Sequence, residues 1–274
     1  MSYVKIFALP THLRFASERM AEIVRNSDFD ALFLDLSQHL NDLIKALAEG
    51  APLESFIERI KELALVPEPM GSWEYEFEPI LLAVRGILNR KPKLELYCYK
   101  QPYFDRLSAE VAANLARLVL RASMTEKIDV DEWRINITQL LDANTNALNE
   151  EAEYIAKKSY GKETCICISG INGRTLRDCL LERNLKATLT YLVLPYHFTP
   201  IEILTREIER EIRDSSMDHN KLYQIIKCHV KFVREYVLTS RNYDEAYLRW
   251  VKDTAPWMKY RFYMATLMNG TRYV

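Results

Sequence analysis

Apolar positions follow two rhythms along this chain. Val4-Lys5-Ile6-Phe7-Ala8-Leu9 and Ala31 to Leu36 are short and mostly apolar, as strands are. Between them, Phe15 to Asn26 sets Met20, Ile23 and Val24 on one side against Arg19, Glu22 and Arg25 on the other, the spacing of an amphipathic helix. Strand, helix, strand in that order predicts two parallel strands joined by a crossover, with their carboxyl ends facing one crevice. His12, just past Pro10, and Asp35, near the end of the second run, both belong to that edge.

The same reading continues down the chain. Leu40, Leu43, Ile44 and Leu47 mark a helix stopped by Gly50, and Pro52 opens another with Phe56, Ile57, Ile60 and Leu63 as its buried stripe. Two prolines and a glycine make Val66 to Trp73 a loop. Pro79 is then a first-turn residue of a helix over Ile80 to Asn89, with Glu74, Glu76 and Glu78 at the positive end of its dipole. A third strand is expected over Leu94 to Tyr99 and a fourth over Thr164 to Ser169, with helix from Leu107 to Ala122 and from Asp129 to Lys158 between them. Gly170 to Arg174 turns into a helix over Thr175 to Glu182. Leu189, Tyr191 and Val193 suggest a fifth strand, closed by Pro195-Tyr196-His197. Beyond Pro200 every segment is helical: Ile201 to Arg213, Lys221 to Leu238, Tyr243 to Lys252 and Met258 to Leu267. The expected fold is α/β, a mainly parallel central sheet flanked by helices, with a long helical insertion and an all-helical carboxyl-terminal extension. The expected domains are a core over 1–198, carrying the insertion at about 107–158, and the extension over 199–274. No repeat or low-complexity stretch interrupts them.

Composition narrows the function classes. The 274 residues are 49% hydrophobic with a formal net charge of -1, enough apolar material for a real core and too balanced a charge for a whole-molecule binder of nucleic acid or anionic membrane. The amino terminus lacks the pattern of a signal peptide, and no apolar run approaches the roughly 20 residues that span a bilayer. The expectation is a cytoplasmic protein without a membrane partner. Cys98, Cys165, Cys167, Cys179 and Cys228 are odd in number and lack paired zinc spacing, so buried thiols are expected rather than disulfides.

The chemistry-bearing candidates start with His12, which at a strand terminus either binds a divalent metal or moves a proton, or else is a hydrogen-bonded structural residue. Asp35 either shares a cation or proton with His12 or caps the next helix, a role also open to Ser37. Backbone amides of the Gly170 to Arg174 turn, with Asn172 and Arg174, sit at a helix start where anions bind; the turn matches neither the dinucleotide fingerprint nor a P-loop. Arg106 and Arg174 each follow a strand, placed for a carboxylate or phosphate or for surface pairing. In the extension, Lys221, Lys227, Lys231, Arg234, Arg241, Arg249, Lys252, Lys259, Arg261 and Arg272 interleave with Tyr223, Phe232, Tyr236, Tyr243, Tyr247, Trp250, Trp257, Tyr260, Phe262 and Tyr263. That mixture suits single-stranded nucleic acid, with Lys227, Lys231 and Arg234 as the contacts, but equally a helical unit with inward aromatics or an oligomer interface.

The order of these parts resembles the TraB, ChaN and erythromycin-esterase-like (TIKI-type) superfamily. The likeness rests on Ala8-Leu9-Pro10-Thr11-His12, on Phe29-Asp30-Ala31-Leu32-Phe33-Leu34-Asp35-Leu36, and on the Trp73 to Ala83 stretch. It is carried further by Tyr103-Phe104-Asp105-Arg106 and Ile168-Ser169-Gly170-Ile171-Asn172-Gly173, so it spans roughly residues 4 to 195. The resemblance implies an α/β protein with a crevice at the strand ends, hydrolase activity that is metal-dependent in some members, haem binding in one branch, and a site here made from His12, Asp35, Arg106 and the Gly170 to Arg174 turn. This sequence departs from the family pattern at three places. Leu9 stands at the family glycine, Asp35 replaces a glutamate, and Gly173 stands where a second histidine is expected, with His197 as a substitute from the next strand end. The resulting expectation is a divergent member with a partly degenerate site that binds a small ligand or a protein partner, a second copy of the chain included. An active hydrolase using a divalent metal ion on His12 and Asp35, and a nucleic-acid binder, are the alternatives.

Overall fold

The structure, a computed structural model, describes residues 2–66, 70–214 and 218–255. The expected helix from Met258 to Leu267, and with it Trp257, Lys259, Tyr260, Arg261, Phe262, Tyr263 and Arg272, lies outside the described residues. The chain is α/β, as the pattern predicts, and forms two compact units, one comprising the chain up to Glu110 with Asp142–Val193, the other Val111–Leu141 with the chain from Leu194.

The first unit opens with β1 (Tyr3–Ala8), α1 (Arg14–Asn26) and β2 (Ala31–Ser37), followed by a single 3-10 turn over Gln38–Leu40. Next come α2 (Asn41–Glu49), α3 (Leu53–Glu62), α4 (Met70–Val84), α5 (Ile87–Arg90) and β3 (Glu95–Lys100). Two long helices follow, α6 (Pro102–Thr125) and α7 (Val130–Ser159), and then β4 (Thr164–Ser169), α8 (Gly173–Glu182) and β5 (Lys186–Tyr191). The strands form one parallel sheet in the order β3-β2-β4-β1-β5. All five strands therefore end at the same edge. A parallel sheet is covered on both faces, so its inner strands carry little polar surface; in β2 every residue is buried except Asp35. On one face, Val4, Ile6, Phe33, Cys165 and Cys167 pack against Leu148, Ala152 and Ile155 of α7 and Leu176 and Leu180 of α8.

Two local devices fix this sheet. Asp30, just before β2, accepts the backbone N–H groups of Glu163 at 2.8 Å and Thr164 at 2.9 Å through Oδ2 and so sets where β4 begins. Substituting Asp30 with alanine is expected to cost about 1 kcal/mol, because both amides turn to water, while asparagine keeps an acceptor oxygen and most of the stability. Equal losses from the two variants in urea unfolding would disprove that assignment. At the other end of the strands, Asn41 accepts the N–H of Cys98 at 2.8 Å and donates to the carbonyl of Gln38 at 2.9 Å, tying β3 to the turn after β2.

The structure corrects the reading of Met70 to Trp73 as loop and of Pro79 as a helix start; Pro67, Glu68 and Pro69, also expected in that loop, lie outside the described residues. Helix α4 begins at Met70 and carries Pro79 in its interior. An interior proline frees the carbonyl four residues earlier. That carbonyl belongs to Tyr75, and it accepts from Arg14 Nη1 at 3.0 Å, while Arg14 Nη2 binds Glu78 at 2.6 Å. The α1 guanidinium replaces the missing hydrogen bond, and the helix runs on. Val193, expected in the fifth strand, lies past its end at Tyr191.

In the second unit are α9 (Pro200–Asp214), α10 (His219–Phe232), a π turn at Val233–Val237 and α11 (Tyr243–Thr254). Its core joins Leu118, Val119, Trp133 and Ile137, from the outer parts of α6 and α7, to Leu204, Ile208, Leu222 and Ile226. Among the described residues, no helix is long and apolar enough to cross a membrane. All five cysteines are free; Cys98, Cys165 and Cys167 are buried, Cys179 is half-buried and Cys228 is exposed.

Candidate functional site

Asp35 owes its position to an irregularity in the sheet. Leu34 pairs with Cys98, but Ser37 pairs with Lys100, so Asp35 and Leu36 together face Tyr99. An extra residue of this kind re-aims a side chain at a strand end. Asp35 continues the row of Ala31 and Phe33 on the face covered by α7, at the point where β2 leaves the core. Its carboxylate is 12% exposed.

Oδ1 of Asp35 accepts from the Tyr99 hydroxyl at 3.2 Å and lies 3.8 Å from Lys100 Nζ. Tyr99 itself is buried and also lies 2.9 Å from the carbonyl of Ile168, which ties β3 across to β4. Oδ2 points the other way. It lies 3.7 Å from where a Cβ on Gly170 would stand, beside Thr11 at 4.0 Å from the same point. The opening segment after β1 and the glycine turn after β4 therefore meet at Asp35.

Lys100 is shared among carboxylates. Its ammonium binds Glu151 of α7 at 3.0 Å, and Glu151, with no exposed surface, also accepts the N–H of Gln101 at 3.3 Å. Burial works against the charge on Lys100, but Asp35 and Glu151 outweigh it and hold its pKa above the ordinary value. Burial pushes Glu151 up to about 7 even though Lys100 opposes the shift. Asp105, in the first turn of α6, is raised to about 6, chiefly by burial, with Lys100 and a hydrogen bond from Ser37 pulling down and Asp35 pushing up. Three carboxylates around one ammonium make a negative, proton-retaining centre under the carboxyl edge. Lys100, Glu151 and Tyr99 are not singled out by sequence reasoning, and Asp105 enters it only within the Tyr103-Phe104-Asp105-Arg106 stretch that carries the resemblance. The readable signal was Glu151, a charged residue inside the helical stripe Leu148, Ala152, Ile155.

The expected site residues distribute unevenly. Asp35 and Gly170 come together. His12 is on the rim but its side chain is 62% exposed, and its Nδ1 lies 3.3 Å from Glu76 Oε1 of α4. Arg106, Asn172 and Arg174 are exposed. Gly173 is buried on the sheet instead of open to the rim: a Cβ there would meet Ala8 and Leu189 side-chain carbons at 3.1 Å and Ile6 at 3.5 Å. The position expected to hold a second histidine has no room for one. His197 belongs to the second unit, where its ring stacks on Trp250 at 4.5 Å and its N–H donates to the Tyr247 hydroxyl. Lys227, Lys231 and Arg234 are exposed on that unit, with Glu235 3.7 Å from Lys231 and 3.2 Å from Arg234. Of the aromatics near them, Phe232, Tyr247 and Trp250 are buried, with Phe232 edge-on to Trp250 at 5.2 Å, while Tyr223, Tyr236 and Tyr243 are half-buried.

The donor set does not fit a resident divalent metal. Among the described residues, no group of three or more His, Cys, Asp or Glu side chains is placed to hold one. Lys100 already supplies a cation beside Asp35. A cavity of about 640 Å³ lies at the opposite, amino-terminal edge of the sheet; its Lys162 is paired with Glu95 at 2.9 Å and its Arg183 donates to the carbonyls of Cys179 and Asn149. No family model, curated protein or solved structure matches the chain.

Proposed function

We propose that this chain is a divergent member of the TraB, ChaN and erythromycin-esterase-like superfamily whose hydrolytic site is partly degenerate and whose carboxyl edge binds a small polar ligand. The observation that supports this reading best is Asp35, with one oxygen fixed by Tyr99 and Lys100 and the other turned toward Gly170 and Thr11. A fixed carboxylate oxygen turned toward the segments that follow β1 and β4 selects a partner with hydrogen-bond donors, such as a polyol or an amine. The excess of carboxylate around Lys100 disfavours phosphate or carboxylate ligands. Free, mostly buried thiols suit the reducing cytosol.

A metal-dependent hydrolase is the weaker reading, since His12 is held by Glu76 and the charge beside Asp35 is an ammonium. Nucleic-acid binding through Lys227, Lys231 and Arg234 is the weaker reading too, since Glu235 lies beside Lys231 and Arg234 and Phe232, Tyr247 and Trp250 are buried.

The test is a thermal-shift panel of polyols, amino sugars and amines, run beside ester and peptide substrates with zinc, manganese or cobalt. A ligand at about 100 times its Kd adds about 2.7 kcal/mol, a rise of several degrees in Tm. Asp35→Asn, which leaves the Lys100–Glu151 pair at 3.0 Å intact, is expected to abolish the shift without unfolding the protein. Divalent-dependent turnover that vanishes in His12→Ala would replace this reading with the hydrolase.

A further inference from the structure

Lys100 has two anionic partners at unequal distance, Glu151 at 3.0 Å on the buried side and Asp35 at 3.8 Å on the rim side. Glu151 has no exposed surface, and among the described residues its charge is met by Lys100 and the N–H of Gln101. Removing that charge removes the stronger pull on the ammonium. We propose that Glu151 is a proton-operated switch for the rim: ionised, it keeps Lys100 on itself and leaves Asp35 available, whereas protonated, it releases Lys100 to neutralise Asp35. The inference rests on reading the carboxyl edge as the binding site, and it supplies that site's regulation.

Every element around the switch contributes a titratable or charged group. Asp35 comes from β2, Tyr99 and Lys100 from β3, Cys167 from β4, and Tyr103 and Asp105 from α6, with Glu150 beside Glu151 on α7. Burial drives Tyr99 and Cys167 well above their ordinary ranges, so both stay neutral near pH 7. Asp105 titrates close by as well, at about 6. The switch therefore opens above neutral pH and closes below it. With a midpoint of about 7, Glu151 is roughly one-tenth ionised at pH 6 and nine-tenths at pH 8.

Carbon-13 and nitrogen-15 NMR of the full chain, titrated from pH 5 to 9 without ligand, tests the switch directly. The Glu151 carboxyl carbon, the Lys100 Nζ and the Asp35 carboxyl carbon are expected to share one inflection near pH 7. Glu151→Gln removes that inflection from Lys100 and Asp35. Asp35→Asn, which takes away a neighbouring anion, moves the Glu151 midpoint down and provides the test should Glu151→Gln fail to fold. An unshared inflection, one that persists in Glu151→Gln, or a Glu151 midpoint unmoved by Asp35→Asn overturns the proposal. Because no ligand is added, these results are independent of the thermal-shift panel: an absent ligand shift sinks the binding reading alone, and an absent shared inflection sinks the switch alone.

Discussion

Replacing Lys100 with methionine is expected to remove about 3–5 kcal/mol of stability at pH 8, the usual cost of deleting one partner of a buried ion pair. In thermal unfolding this is a loss on the order of 10 °C. Methionine fills much the same volume, so the loss reflects charge and not a hole. Glu151 and Asp105 are both held down by Lys100; without it their folded-state values climb further. A carboxyl whose folded value is raised contributes stability fully present below its unfolded value and lost as pH rises through the folded one. The deficit of Lys100→Met relative to the native protein should therefore be small near pH 4.5, open as pH rises through about 6 and about 7, and be large by pH 8. A deficit below about 1 kcal/mol, or one that does not change with pH, would show that the cluster is held by something other than this ammonium.

Introducing the missing histidine does not repair the site. Gly173→His is expected to cost about 3 kcal/mol or more, since overpacking costs about 1–3 kcal/mol and burying a polar ring without a partner adds a similar amount. The Cβ already stands 3.1 Å from Ala8 and Leu189 carbons, and the imidazole would have to continue into that contact. Calorimetry with zinc should register no gain in affinity over the native chain. A stable Gly173→His protein that acquires tight zinc binding would mean that residue 173 faces the rim after all.

The sheet was legible because its inner strands are bare apolar runs: Ala31 to Leu36 and Thr164 to Ser169 announce themselves whatever lies around them. Asp35 was legible for the related reason that a carboxylate at the end of such a run has few explanations. Lys100 and Glu151 were not, because their meaning depends on strand order and on the extra residue in β2 opposite Tyr99. Neither property is local. Helix α4 escaped for a similar reason: the rule that proline ends a helix is sound for an isolated segment, and the guanidinium that overrides it sits 61 residues from the carbonyl it serves. His12 and Asp35 were expected as a pair from topology alone. Topology brings them to one edge, but Glu76 on α4 and Tyr99 on β3 divide them between different partners.

The placement of β1 has a consequence for how the molecule comes into being. This strand, which precedes all its partners in the chain, lies inside the sheet between β4 and β5, and its Tyr3 hydroxyl meets Thr188, 185 positions further along. During translation Val4, Ile6 and Ala8 have no strand mate until Thr164 to Ser169 has been delivered, and the other side of their strand stays open until Lys186 to Tyr191 follows. Closure over such a span is slow and exposes sticky backbone meanwhile, so nascent chains halted before Thr164 should bind holdase chaperones, whereas those extended past Tyr191 should let go.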